Sequence, residues 1–511
     1  MPSGQSIGAI LSLMLFAAPV AGAAAEPAIE REMLTPEVSV RPVPITATSK
    51  PFLASRENLA AHGYVEEEFF LSGQARAYDW VDGTLKIRAV SPPGPYTTRV
   101  LVRRPVDPKR FSGNIEVETL NASTGLDITT TMATSGDYIM QQGDVWVGVT
   151  SKPLTLQALK RFDPARYADL QWSNPTPVES RCEAPSIIPL YTMGAPGTLK
   201  GYPPFSTAAS EDGLVWDIYA QLGALLKSEH RGMLLPGFRK PHLFATGYSQ
   251  SGLIQRTFIS GFHSVMRLSD GGPIFDGYLI EVGPAMLRIN QCSADILADD
   301  RRNRLPEIDV PVINIVSEGD MWLGAHTRQP DVVRPRAGLV TYEIAGASHK
   351  SGMGDPGHPT PEEMARAGGK PTPPPSGLIL NDMPRGYLST AALSNLQAWA
   401  LKGEPPPQGP RLSYNGSEIA RDGDGNALGG VRTPWIDVPT AAYQGSLGLG
   451  VLTLVGRKTP FSPEKLRALY PSHADYLAKL EASVASSVQA RWILPEDGRR
   501  IVEKAAAQTA P

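Results

Sequence analysis

Three observations predict an α/β fold with a mostly parallel sheet and helices on both faces. Apolar, β-rich runs alternate with amphipathic helical runs between residues 96 and 402. Each apolar run closes on small or polar turn residues. One of them, "HLFATG", passes directly into "YSQSG" and a helical run, which marks a sharp strand-to-helix turn around Ser249.

The elements follow in chain order. "IGAILSLMLFAAPVAGAAA" (Ile7 to Ala25) is apolar and ends in the overlapping A-x-A sites Ala21-Gly22-Ala23 and Ala23-Ala24-Ala25. No Lys or Arg precedes it, yet the run is too short and Ala-rich for a spanning helix. Residues 1–25 read as a secretory signal peptide, so the mature chain is expected in the periplasm or outside the cell. No later segment reaches the roughly 18 uncharged apolar residues of a membrane helix, so no integral membrane segment is expected after its removal.

Residues 26–95 form a Pro-rich lead with strand patterns at "YVEEEFFLSG" and "TLKIRAV", packed on the core. The core, 96–402, starts with strands at "YTTRVLVRRP", "GNIEVETLN" and "VWVGVTS", with a helix at "TTTMATSGDYIMQQGD". Residues 152–210 read as a long irregular insertion rich in Pro, Trp and Tyr. "SEDGLVWDIYAQLGALLKSE" is a helix with Ser210 as its N-cap. Strands follow at "FDGYLIEVG", "VPVINIVSEGD" and "GLVTYEIAGASH", then a helix at "STAALSNLQAWALKG". A C-terminal extension, 403–511, keeps Trp435, Tyr443, Leu452 and Trp492, which predicts packing on the core, although an independent domain is the alternative.

Composition narrows the partners. The 511 residues are 41% hydrophobic, enough for a large core. Net charge is −3 and no basic cluster occurs, which gives no footprint for nucleic acid. Neither a P-loop nor a G-x-G-x-x-G after a strand is present. "DGDGN" has Ala427 and Thr433 where a calcium loop needs Gly and Glu. No metal site and no cofactor are expected.

A serine hydroxyl needs a base within hydrogen-bond reach and donors for the oxyanion it creates. The predicted turn lifts Ser249 above the sheet and aims a helix N-terminus at it. Strand and helix then lie so close that the residues two before and two after, Gly247 and Ser251, must be small. Ser251 is the alternative nucleophile, but it would put Leu253 in a tight position. In this architecture an acid and then a histidine follow, each after its own strand. Asp320 stands a few residues past "VPVINIV", with Glu318 as the alternative acid. Of the eight histidines, His349 alone follows a final strand at short distance. His62, His230 and His242 precede the serine, and His263 lies on the next helix. His326 shares the acid's loop, while His358 and His473 lie in or beyond Pro-rich loops. The backbone N–H of Gln250 and one from Asn121 to Gly125, Ala122 first, are the expected oxyanion donors.

"NIEVETLNASTG", "VWVGVTSKP", "GYSQSG", "SEGD", "YEIAGASH" and "GNALGGVRTPWIDVPTAAY" together resemble the bacterial exported alpha/beta-hydrolase domain family. The resemblance covers nearly the whole mature chain. It implies an alpha/beta-hydrolase fold and an esterase-like Ser-Asp-His site at Ser249, Asp320 and His349. The expected activity is cleavage of carboxylic esters, small-molecule or polymeric, through an acyl-enzyme. An amidase or peptidase on the same residues and a non-catalytic binding protein are the alternatives. Ser at the nucleophile position, where dehalogenases carry Asp, disfavours that chemistry.

The insertion and the helix near Leu396 to Leu401 are expected to roof the site, with Tyr167, Trp172 and Tyr191 as candidate pocket or roof-core aromatics. Cys182 lies in the insertion and Cys292 in the crossover at the same sheet edge. A Cys182–Cys292 disulfide would clip the roof to the body.

Overall fold

The structure, a computed structural model, describes residues 27–34, 37–182, 208–297, 299–350, 357–370, 377–448 and 454–508. The expected signal peptide and residues 183–207 of the insertion, Tyr191 included, lie outside the described residues.

Eleven strands build the main sheet among the described residues. They are β1 (Ser39–Val43), β2 (Tyr64–Ala75), β3 (Gly94–Pro105), β4 (Asn114–Thr119), β5 (Val145–Val149), β6 (Gln171–Trp172), β7 (His242–Tyr248), β8 (Gly277–Glu281), β9 (Pro311–Ser317), β10 (Val332–Arg334) and β11 (Ala337–Ile344). Across the sheet the order is β10-β11-β9-β8-β7-β4-β5-β3-β2-β1, with β6 paired to β3. The run from β11 to β5 is parallel throughout. The remaining pairings are antiparallel. β1 lies inside the Pro-rich lead, and its edge position tolerates Pro42 because one side of the strand needs no ladder donor.

The helices that matter for the site are α1 (Thr131–Gln142), α2 (Pro153–Phe162), α3 (Val215–Lys227), α4 (Gln250–Gly261), α5 (Pro361–Arg366), α6 (Gly386–Lys402), α7 (His473–Gln489) and α8 (Pro495–Ala506). Of these, α3 and α4 cover one sheet face and α1 and α6 the other, as the two-sided apolar strands require. In β7, Leu243 and Ala245 point into a core shared with Ile218 and Leu222 of α3 and Ile254 and Phe258 of α4. Phe244, between them, enters the opposite core with Ile139 of α1 and Leu393 of α6. β9 divides in the same way, Val312 to the first core and Ile313 and Ile315 to the second. That is the period of two of a strand buried on both sides.

The stretch expected to be irregular contains α2, with Pro153 in its first turn where no backbone donor is lost. Ser210 is not the cap of α3. Glu211 accepts the Gly213 N–H at 2.8 Å and opens a 3-10 turn that leads into the helix. The backbone of Ser210 instead bridges to Ser173.

The expected roofing role of Leu396 to Leu401 is corrected. Arg385, just before α6, donates to His349 O at 2.8 Å. A helix of 17 residues then carries the chain roughly 25 Å down the sheet face. Leu396 therefore packs on Gly277, where β8 begins, and Trp399 Nε1 donates to Arg334 O at 2.7 Å. Those residues stand at the edge opposite His349.

The C-terminal extension docks on the end of β11. Val431 forms a parallel bridge to Ile344, with Val431 N–H to Glu343 O at 2.7 Å and Ala345 N–H to Val431 O at 3.1 Å. Beyond it, Tyr476, Leu480 and Val484 of α7 and Ile501 of α8 enclose a small core with Val438, against Trp435 and Tyr387.

Candidate active site

The strand order reverses direction at β4. The chain passes from β4 to β5 on one side, and later returns to place β7 on the other. A crevice opens outside the carboxyl ends of strands at such a point. Ser249 follows β7 there, and residues 120–130 follow β4.

Ser249 adopts φ 55° and ψ −121°, a backbone region that disfavours any side chain. Its N–H donates to Glu281 O at 2.8 Å, which fastens the turn to β8. A Cβ on Gly247 would lie 2.4 Å from Ser251 O, so strand and helix backbones touch. Gly252 presses on β8: its Cβ would lie 2.8 Å from Glu281 O. Ser251 has another use. Its hydroxyl accepts Tyr248 N–H and donates to Tyr248 O, both at 2.9 Å, in a fully buried position.

His349 follows β11 after a short loop. Its Nε2 lies 2.8 Å from Ser249 Oγ, and its Nδ1 lies 2.7 Å from Asp320 Oδ1. All three residues are at most 5% exposed. Asp320 Oδ2 accepts Ser317 Oγ–H at 2.5 Å. The Tyr248 hydroxyl and Arg385 Nη1 both donate to His349 O, and Arg385 lies over the Tyr248 ring at 4.9 Å. Glu318, the alternative acid, points elsewhere. It accepts Gly346 N–H at 2.7 Å and Gly445 N–H at 3.0 Å, and pairs with Arg421 at 2.6 Å.

The oxyanion side is less open than the sequence suggests. Gln250 opens α4, so its backbone N–H belongs to the first turn, which has no intrahelical acceptor. Ala122 N–H, however, donates to Gln250 Oε1 at 3.0 Å. Gln250 is fully buried, and its Nε2 has no partner among the described residues. Asn121 Nδ2 donates to Tyr248 O at 2.7 Å, and its Oδ1 accepts Ser123 N–H at 2.8 Å. Loop and elbow are thus bonded together by side chains whose roles no local pattern marks.

Glu118 braces the same loop from below, accepting the Thr130, Thr131 and Met132 N–H groups at the start of α1. Burial pushes its carboxyl up to about 7, against the pull of these donors. His263 lies elsewhere, bonded to Tyr278 and Asp309.

Tyr167 and Trp172 belong to the core. Tyr167 accepts Phe52 N–H and donates to Glu68, both at 2.9 Å, while Trp172 sits in β6. Cys182 and Cys292 form a disulfide, Cα to Cα 5.3 Å, joining the insertion to the crossover after β8. In "DGDGN", Asp422 turns back on the N–H groups of Asp424 and Asn426 and pairs with Arg432, a closed turn.

A family model described as alpha/beta hydrolase domain matches residues 39–503. The chain belongs to that family. No curated protein matches the sequence. Among solved structures it is similar to acetyl xylan esterase 1 from Thermoanaerobacterium sp., at 10% identity over 48% of this chain and 52% of that one, TM-score 0.21. It is also similar to the siderophore hydrolase EstA from Aspergillus nidulans, at 13% identity over 46% and 62%, TM-score 0.20. A glucuronoyl esterase from Solibacter usitatus matches at 10% identity over 67% and 76%, TM-score 0.25. The chain spans about half the length of the first of these.

Proposed function

We propose that this alpha/beta hydrolase cleaves carboxylic esters through an acyl-enzyme formed on Ser249. The observation that carries the reading is His349 standing within hydrogen-bond distance of Ser249 Oγ on one ring nitrogen and Asp320 on the other. His349 Nε2 takes the hydroxyl proton as Ser249 Oγ attacks the carbonyl carbon. It then delivers that proton to the leaving alcohol, and water repeats the two steps to release the acid. Asp320 holds the Nδ1–H tautomer and stabilises the imidazolium. The Gln250 N–H faces the developing oxyanion, joined by Ala122 N–H once the Gln250 side chain releases it.

Export of the mature chain is part of the same proposal. It is supported by the apolar leader and by the disulfide, which persists in oxidising compartments. Among the described residues no helix is long and apolar enough to cross a membrane.

The test is covalent labelling with a fluorophosphonate, read by peptide mapping, beside p-nitrophenyl acetate turnover. Wild type and Ser251→Ala should take label on Ser249, and Ser249→Ala should take none and turn over nothing. Label on Ser249→Ala, or none on wild type, would defeat the assignment.

A further inference from the structure

Three stretches of chain meet behind His349: the acid turn Glu318–Asp320, the loop after β11, and the C-terminal extension. Glu318 joins them. Its side chain, 2% exposed, takes the Gly346 N–H from the histidine loop and the Gly445 N–H and Arg421 guanidinium from the extension. The backbones themselves are in contact. Gly319 N–H donates to Ala347 O at 3.0 Å. A Cβ on Gly445 would lie 2.4 Å from Gly319 N and 2.6 Å from Ala347 O. Gly346, at φ +73°, would drive a Cβ into Ile436 of the extension at 2.4 Å. Asn381 Nδ2 closes the junction, donating to Gly346 O at 2.7 Å and Gln444 O at 3.0 Å.

We propose that the C-terminal extension is a working part of the catalytic site. Arg421 and Gly445, acting through Glu318, are positioning residues that hold Asp320 and His349 at their mutual distance. The proposal rests on the Ser249–His349–Asp320 reading above. Glu318 stands two residues before Asp320, and Gly346 three before His349, so one carboxylate holds both loops close to the reacting groups. Removing Arg421 leaves that buried carboxylate with two backbone donors and no counter-charge. The acid turn then shifts toward solvent, and a displacement near 1 Å lowers turnover about 100-fold.

The experiment uses the full mature chain with Arg421→Met and Arg421→Lys. Turnover of p-nitrophenyl acetate and the rate and final extent of fluorophosphonate labelling are measured. Arg421→Met should lower kcat about 10- to 100-fold while KM stays within about twofold. The labelling rate should fall in step, with the same final labelled fraction as wild type. Arg421→Lys should restore part of kcat, since it returns the charge without the fork. If Arg421→Met does not fold, Arg421→Gln, which keeps a hydrogen-bond donor for Glu318 without the charge, is read in the same way. Unchanged turnover per labelled site overturns the proposal, including the case in which fewer molecules label but each works at the wild-type rate. Failure of the triad reading is separate: it shows as label on Ser249→Ala.

Discussion

Replacing Ser249 with glycine should leave a more stable protein than replacing it with alanine, the reverse of the order inside a helix. The backbone at Ser249 has φ 55° and ψ −121°. Holding a residue with a Cβ there costs about 1–3 kcal/mol. Both substitutions delete the hydroxyl and its 2.8 Å contact with His349, so that loss cancels between them. Glycine relieves the strain but widens the unfolded ensemble, a penalty of about 0.4–1 kcal/mol. The balance favours glycine by about 1 kcal/mol at mid-range, within limits of about 0 and 2.6 kcal/mol. Without strain, alanine would lead by about 0.4–1 kcal/mol. Equilibrium urea unfolding of both variants decides the matter from the difference in midpoints at a common slope. A midpoint for Ser249→Ala at or above that of Ser249→Gly would refute the argument that the elbow stores strain. Neither variant should turn over ester, so the glycine form would gain stability only by giving up its function.

Three further outcomes are expected. Ser251→Ala strips a buried acceptor from Tyr248 N–H and should cost about 1–3 kcal/mol in urea unfolding, while the protein still takes label on Ser249. Cys292→Ser opens a loop closed over a separation of 110 residues. Its loss should cost up to about 5 kcal/mol, and reductant should lower the urea midpoint of the wild type by the same amount. Burial raises the Glu211 carboxyl from its ordinary range to about 7, so the folded state binds the extra proton between about pH 4.5 and 7. Stability should therefore fall as pH rises through that window. Glu211→Gln keeps the Oε1 acceptor for Gly213 and Gln291 and should flatten the slope, measured by thermal unfolding across the same pH range.

Much of this protein was legible in its sequence because parallel strands buried on both faces leave continuous apolar runs. "HLFATG", "VPVINIV" and "GLVTYEI" each became a strand of the sheet. Chain order brought out Ser249, Asp320 and His349, since parallel strands return their following loops to one edge. Three features escaped. The Gly252 contact with β8 depends on a strand that comes later in the chain. The bond from Ala122 to Gln250 joins residues 128 positions apart and follows no periodicity. The helix over Leu396 to Leu401 is recognisable as a helix, but its direction across the sheet is set by Arg385 docking at His349 and Trp399 at Arg334, so the local pattern points to the wrong edge.

The choice between Glu318 and Asp320 shows where local reading stops. Both carboxylates stand just past the same strand, two residues apart, and composition treats them alike. Their separate uses follow from which backbone groups and charges the remote segments deliver. Asp320 meets the ring of His349, whereas Glu318 meets two glycine N–H groups and an arginine from the extension. Element type, strand burial and the order of reactive groups are local or one-dimensional properties, and the amino-acid string carries them outright. Which donor faces which acceptor depends on angles and distances set when segments a hundred or more residues apart pack together, and these exist only in the folded chain.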